Sequence, residues 1–181
     1  MDLYCSERNF CSVIQRALIM KIRHILQEKG EDVETIDAGQ TIHEAIGKLN
    51  EFGIGALIVM ENNDQIAGII TERDILKQCG SHCTSLAEPG GRGQTACTSI
   101  VRDAMTTDLI IGVPDDDPNY AMGIMSKNRI RHLPILEDGK LAGIISIGDL
   151  INAHLEEQVF ENRTLREYIQ GTSRHREPKD V

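Results

Sequence analysis

The chain has 181 residues, 40% of them apolar but only 3% aromatic, with no Trp and a formal net charge of −9. That length suits one ordinary domain or two small halves sharing an aliphatic core. The negative balance disfavours a broad nucleic-acid or anionic-membrane surface, and no apolar run reaches the ~18 residues that a bilayer span needs.

Residues 1–16 show no clean period and read as a poorly ordered extension. Asp2 and Glu7 stand early, with no continuous apolar run after them, which argues against a secretory leader. Five cysteines (Cys5, Cys11, Cys79, Cys83 and Cys97) make an odd, unevenly spaced set. That set is a poor disulfide framework and suits a reducing compartment, so the expected location is the cytoplasm.

Residues 17–79 hold an N-terminal helix and a first structural unit. Leu18, Ile22, Ile25 and Leu26 share one helical face, and Gly30 is a stop signal. Val33 to Ile36 reads as a short strand. Thr41-Ile42-His43-Glu44 is a capping box, and Ile42, Ala45, Ile46, Leu49 and Phe52 continue a helical stripe that stops at Gly53. Ala56 to Met60 is an unbroken apolar strand. Asn62-Asn63-Asp64 turns the chain into a return strand, Gln65 to Ile70, and a helix starts over Arg73 to Cys79. Residues 80–98 are Gly-rich and polar and read as a flexible loop carrying Cys83 and Cys97.

The same order returns over residues 99–160. Leu109 to Val113 reads as a strand, and Asp117-Pro118 as an N-cap followed by Pro at the first helical position. Ala121, Met122, Ile124 and Met125 form the helical stripe. Leu133 to Leu136 and Leu141 to Ile145 are strands joined through Asp138-Gly139, a hairpin signal. A longer helix follows Asp149, carrying Leu150, Ile151, His154, Leu155 and Val159. Residues 161–181 read as a short terminal helix and a disordered tail.

The register shows a duplication. Ala45 and Ala121, Leu49 and Met125, and Ile54 and Ile130 are each 76 residues apart; Ile66 and Leu141, and Gly68 and Gly143, are each 75 apart. Each copy ends alike, in Gly68-Ile69-Ile70-Thr71-Glu72-Arg73-Asp74 and in Gly143-Ile144-Ile145-Ser146-Ile147-Gly148-Asp149.

Two β-α-β-β-α units that end in Gly, two apolar residues, Thr or Ser, and Asp three positions on resemble a pair of CBS domains, the regulatory unit often called a Bateman module. The resemblance covers roughly Val33 to Glu157. It implies an α+β fold of two tandem repeats about a pseudo-twofold axis, with sheets flanked by helices and a homodimer as the common assembly. It also implies adenine-nucleotide binding in clefts between the repeats.

In residue chemistry, Thr71 with Asp74 and Ser146 with Asp149 fit a helix N-cap plus an acid at the third helical position, which needs no ligand. A capping box more often carries Glu or Gln, whose extra length reaches back better. An Asp at a helix N-terminus also suits a ribose diol, and the hydroxyl with free amides beside it suits a phosphate. Arg131 and His132, ahead of Leu133-Pro134, resemble the family's phosphate-contacting position, whereas Gly55 and Ala56 hold the equivalent places in the first half without charge. Arg73 and Lys77 could supply that charge or could be solvated helix residues. The backbone of Thr35 or Ile36 is the family's place for reading an adenine edge. Which residue completes which cleft stays open, but the two clefts should differ.

Cys79, His82, Cys83 and Cys97 could be arranged as metal ligands, although no second close pair supports Cys97. Asp115-Asp116-Asp117 more simply caps a helix. No nucleophile–base set and no Gly-x-x-x-x-Gly-Lys loop is present, so no enzyme activity and no required cofactor are expected. The leading expectation is a stand-alone regulatory module for AMP, ADP, ATP or NAD that acts through an unknown effector protein. The alternatives are a non-binding dimeric scaffold and a redox or metal sensor using Cys79, Cys83 and Cys97.

Overall fold

The computed structural model describes residues 20–30, 32–61, 65–85 and 99–173. The extension over 1–16, the loop beyond Ser85 and the tail from residue 174 lie outside the described residues. The elements are α1 (Ile22–Lys29), β1 (Thr35–Asp37), α2 (Ile42–Phe52), β2 (Ala56–Glu61), β3 (Gln65–Thr71) and α3 (Glu72–Ser85). A 3-10 turn (Val101–Asp103) leads to α4 (Pro118–Asn128), β4 (His132–Glu137), β5 (Lys140–Ser146) and α5 (Ile147–Ser173). The chain divides into two compact units that cut across the repeats: Gly30–Pro114 with His132–Ile144, and the residues up to Lys29 with Asp115–Arg131 and Ile145 onward.

The first unit is built on a three-stranded sheet in the order β1-β2-β3. β1 runs parallel to β2 (Ile36 opposite Val59), and β2 runs antiparallel to β3 (Ala56 opposite Thr71), with a register shift between Val59 and Met60. Side chains alternate across a strand, and here both faces of β2 are covered. Leu57 and Val59 join Ile42, Ala45 and Leu49 of α2, Ile70 of β3 and Ile75 of α3 in one core. Ala56 and Ile58 pack on the other face with Ile69, against Leu141 and Ile144 of β5. Burial on both faces explains why the sequence over β2 is continuously apolar rather than alternating.

Local signals formed as their chemistry demands. Thr41 Oγ1 accepts the Glu44 amide at 3.2 Å while Glu44 Oε2 accepts the Thr41 amide at 2.7 Å, completing the capping box. Gly53 closes α2 at φ 62°. The β4–β5 turn has Asp138 at φ 51° and Gly139 at φ 77°, the left-handed pair a tight hairpin needs. The segment after the loop is stitched back onto the first unit, where Val101 N–H donates to Gln40 O and Thr106 exchanges two bonds with Ile69.

Four predicted elements differ. The strand expected over Leu109–Val113 is reduced to one parallel bridge, Gly112 to Ile135. The first strand starts two residues later than expected, at Thr35, and ends one later, at Asp37. α3 continues past Cys79 to Ser85, because one Gly in a helix costs only about 1 kcal/mol and does not break it. The terminal helix expected after residue 160 is the continuation of α5, since neither Gly nor Pro occurs between Gly148 and Gly171 to end it.

The second unit holds α1, α4 and α5. Ile22, Ile25 and Leu26 of α1, Ala121 and Met125 of α4, and Leu150 and Ala153 of α5 are buried. Asp117 caps α4, its carboxylate accepting the Asn119 and Tyr120 amides, with Pro118 at the first helical position. On α5 the predicted apolar pattern is only partly core: Ile151, Leu155 and Val159, spaced four apart, are exposed.

Candidate functional site

Each copy of the repeated motif places its hydroxyl residue at the last position of a strand and its carboxylate in the first turn of the helix that follows. Thr71 donates from its amide (3.1 Å) and its hydroxyl (2.6 Å) to Asp74 Oδ2, and Thr71 Oγ1 accepts the Asp74 amide at 3.4 Å. Ser146 makes the same bonds to Asp149: amide to Oδ2 at 2.7 Å, hydroxyl to Oδ2 at 2.9 Å, and the Asp149 amide to Oγ at 3.2 Å. The expectation that Asp reaches back less well than Glu needs correcting. Both Asp residues close the reciprocal cap that Glu44 closes at α2. Each does so with one oxygen, Oδ2, and keeps Oδ1 out of the cap.

The amide that follows each hydroxyl residue is bonded in the same way in both copies. Glu72 N–H donates to Gly55 O at 3.2 Å, and Ile147 N–H donates to Arg131 O at 2.9 Å. The backbone thus brings Gly55 beside Thr71–Asp74, and exposed Arg131 beside Ser146–Asp149.

His132 goes elsewhere. A Cβ added at Gly55 would lie 3.1 Å from His132 Cε1, 3.3 Å from Nε2 and 3.6 Å from Glu72 Oε2. The imidazole therefore sits over Gly55, next to the Glu72 carboxylate, at the first motif. Neighbouring residues Arg131 and His132 are divided between the two turns.

The other predicted residues are placed as follows. Ala56 is buried and pairs with Thr71 across β2 and β3. Arg73 is exposed on the first turn of α3, and Lys77 lies 3.6 Å from Asp74 Oδ1. Pro134 is buried, with its carbonyl accepting the Gly112 amide. Ile36 is a core residue, 2% exposed. The Thr35 carbonyl accepts from Lys48 Nζ at 2.8 Å, so an adenine donor would meet an ammonium already bonded there.

One participant carries no sequence signal. Lys29, in the last turn of α1, donates from Nζ to Asp149 Oδ2 at 2.7 Å across 120 residues. Burial alone pushes the Asp149 carboxyl up. The Lys29 ammonium and the Ser146 amide and hydroxyl outweigh it and hold the group below its ordinary value. Glu72 is the second residue missed, since its role at Gly55 depends on where His132 falls.

Among the described residues no group of three or more His, Cys, Asp or Glu side chains could hold a metal ion, and Cys79 is a free thiol. The side chains of His82 and Cys83, and all of Cys97, lie outside the described residues. A groove in the second unit, lined by Met20, Asp117, Met122, Leu150 and His154 among others, includes none of the predicted site residues. No helix among the described residues is long and apolar enough to cross a membrane.

Two strand-to-helix turns of one design, each reached through a helix and two strands, define a duplicated module. The sequence model of the CBS domain matches twice, over residues 22–80 and 101–156, and the chain belongs to the CBS-domain family as a tandem pair. It is 32% identical over 160 residues to the mitochondrial CBS domain-containing protein CBSX3 of Arabidopsis thaliana, covering 83% of this chain and 72% of that protein. The crystal structure of the CBS-domain containing protein ATU1752 from Agrobacterium tumefaciens superimposes with a TM-score of 0.66 at 35% identity, over 75% of this chain and 99% of that one. Inosine-5'-monophosphate dehydrogenase of Methanocaldococcus jannaschii is 31% identical over 122 residues. That match takes in 21% of the enzyme and transfers none of its activity to this chain.

Proposed function

We propose that this CBS pair is a regulatory module, not an enzyme, that binds an adenosine-containing nucleotide (AMP, ADP, ATP or NAD) at its Thr71–Asp74 and Ser146–Asp149 turns. The observation that carries this reading is the division of labour in each Asp, where Oδ2 holds the cap and Oδ1 is left to accept a ribose hydroxyl. The surroundings support it. Each turn opens a helix whose dipole favours an anion at its N-terminus, exposed Arg131 stands beside one turn, and the His132 ring stands beside the other. An Arg fork suits phosphate oxygens.

Output then runs through a change of assembly or an effector protein, by as much as the nucleotide prefers one arrangement over another. Homodimerisation belongs to the same reading, supported by the exposed stripe of Ile151, Leu155 and Val159 on α5. The free Cys79 thiol suits a reducing compartment such as the cytoplasm.

A thermal-shift panel of AMP, ATP, NAD and S-adenosylmethionine tests the proposal. A nucleotide at about 100 times its dissociation constant stabilises the fold by roughly 2.7 kcal/mol. No shift with any of the four would sink it.

The second reading is a scaffold that binds no ligand, and the saturation of Asp149 Oδ2 by Lys29 and Ser146 favours it. It predicts an unmoved melting temperature together with a dimer in sedimentation. A shift caused only by zinc or by an oxidant would instead point to the cysteines.

A further inference from the structure

The two turns match bond for bond except in one respect, the cation each carboxylate meets. Asp149 Oδ2 accepts the Ser146 amide, the Ser146 hydroxyl and the Lys29 ammonium, three hydrogens on a single oxygen. A carboxylate offers about four acceptor positions in all, so Oδ1 is what remains for a ribose hydroxyl, on a carboxylate whose charge Lys29 already shares. Among the described residues the one cation at Asp74 is Lys77, its neighbour on the same helix, at 3.6 Å and with a side chain 72% exposed. Such a contact is weak and solvated.

Lys29 is also held where it is. α1 is seated through buried Ile22, Ile25 and Leu26, its first amide donates to Asp116 O, and Arg23 pairs with Asp115 at 2.7 Å. Gly30, at φ 96°, ends the helix directly after Lys29. The corresponding segment ahead of the second repeat, Val101 to Thr107, supplies no equivalent to Asp74. Its one cation, Arg102, pairs with Glu61.

We infer that Lys29 is an affinity-setting residue of the Ser146–Asp149 turn: its ammonium at Oδ2 competes for the carboxylate charge that a ribose hydroxyl at Oδ1 would use, and a nucleotide binds there less tightly while that ion pair stands. The inference rests on the nucleotide reading above and deepens it by naming what restrains one of the two turns. α1 thereby becomes a control element. Anything that draws Lys29 away, whether a partner or a modification that removes its charge, raises affinity at the second turn alone.

Calorimetric titration with AMP tests this in a D74N background, which weakens the first turn so that binding at the second is read separately. D74N/K29M should bind AMP roughly two- to fivefold more tightly than D74N, the range expected for releasing a partly exposed ion pair. D74N/K29R, which keeps the charge and its reach, should stay within about twofold of D74N. Melting curves of each variant establish that the fold is retained. Unchanged affinity in D74N/K29M overturns the competition, and weaker affinity overturns it too, by making Lys29 a phosphate contact. If the unsubstituted protein also fails to bind AMP, ATP or NAD, the nucleotide reading itself falls.

Discussion

The two strand-to-helix turns are built from the same bonds but lie in different surroundings. At the first, Gly68 leads through Ile69 and Ile70 to Thr71, and that strand is pressed against the segment carrying Met105 and Thr106. At the second, the cap is tied to an N-terminal helix through Lys29. The first turn is therefore constrained by close backbone packing and the second by charge. A duplicated motif can keep its local chemistry while long-range partners make each copy respond differently, and substitutions should separate the copies accordingly.

The largest effect is expected at Gly68. A Cβ there would stand 2.6 Å from Thr106 O, a backbone atom that itself accepts the Ile69 amide, and 3.1 Å from Met105 Sδ. Backbone held by its own hydrogen bonds cannot give way cheaply. Gly68→Ala should cost about 1–3 kcal/mol in urea unfolding, the range for overpacking a tight contact. A loss under roughly 0.5 kcal/mol would show that the segment yields and that packing does not distinguish the first turn.

Next come the carboxylates. Asp74→Ala and Asp149→Ala each remove a cap, worth about 1 kcal/mol. Asp149→Ala also removes the ion pair with Lys29, which adds a few tenths of a kcal/mol after allowance for its partial exposure. Asp149→Ala should therefore be the more destabilising of the two in chemical denaturation. Equal losses would mean that the ion pair contributes nothing to the folded state.

Much of this was legible beforehand, and the boundary is physical. The duplication showed in the register of pairs 75 and 76 residues apart, and the Thr41 and Asp117 caps, the Asp138-Gly139 turn and the two Asp-bearing motifs rest on neighbours within four residues, where spacing dictates contact. The partition of Arg131 and His132 was not legible. Successive residues at a strand's start point to opposite sides, so which one meets Gly55 depends on how β4 is placed. Lys29 could not be connected with Asp149 because 120 residues separate them. The far ends of α3 and α5 were not legible, because a lone Gly80 does not break a helix and no Gly or Pro interrupts α5 between Gly148 and Gly171.

The C-caps of α2 and α4 offer a smaller contrast. Gly53 (φ 62°) and Arg129 (φ 56°) occupy equivalent left-handed positions, and each donates its amide back into its helix. Gly adopts that conformation freely, whereas a side chain is strained there. Arg129→Gly should stabilise the fold by roughly 0.5–1 kcal/mol, the relief being partly offset by greater freedom in the unfolded chain. Gly53→Ala should destabilise it by a similar amount. A melting temperature lowered by Arg129→Gly would show that the Arg129 side chain contributes more than the strain costs.

The smallest effect separates the turns by pH. Asp149 ionises more readily folded than unfolded, so its contribution is fully present above its unfolded value near 3.8 and is lost as pH falls through the lower folded one. Lys29 is a main cause of that depression, and Lys29→Met should remove part of it. The stability difference between the unsubstituted protein and Lys29→Met should therefore hold at a few tenths of a kcal/mol near neutral pH. It should close as acid titrates Asp149 below about pH 4. Denaturation measured at successive pH values would read the closing directly. A difference that persisted into strong acid would assign the role of Lys29 to its aliphatic stem rather than to its charge.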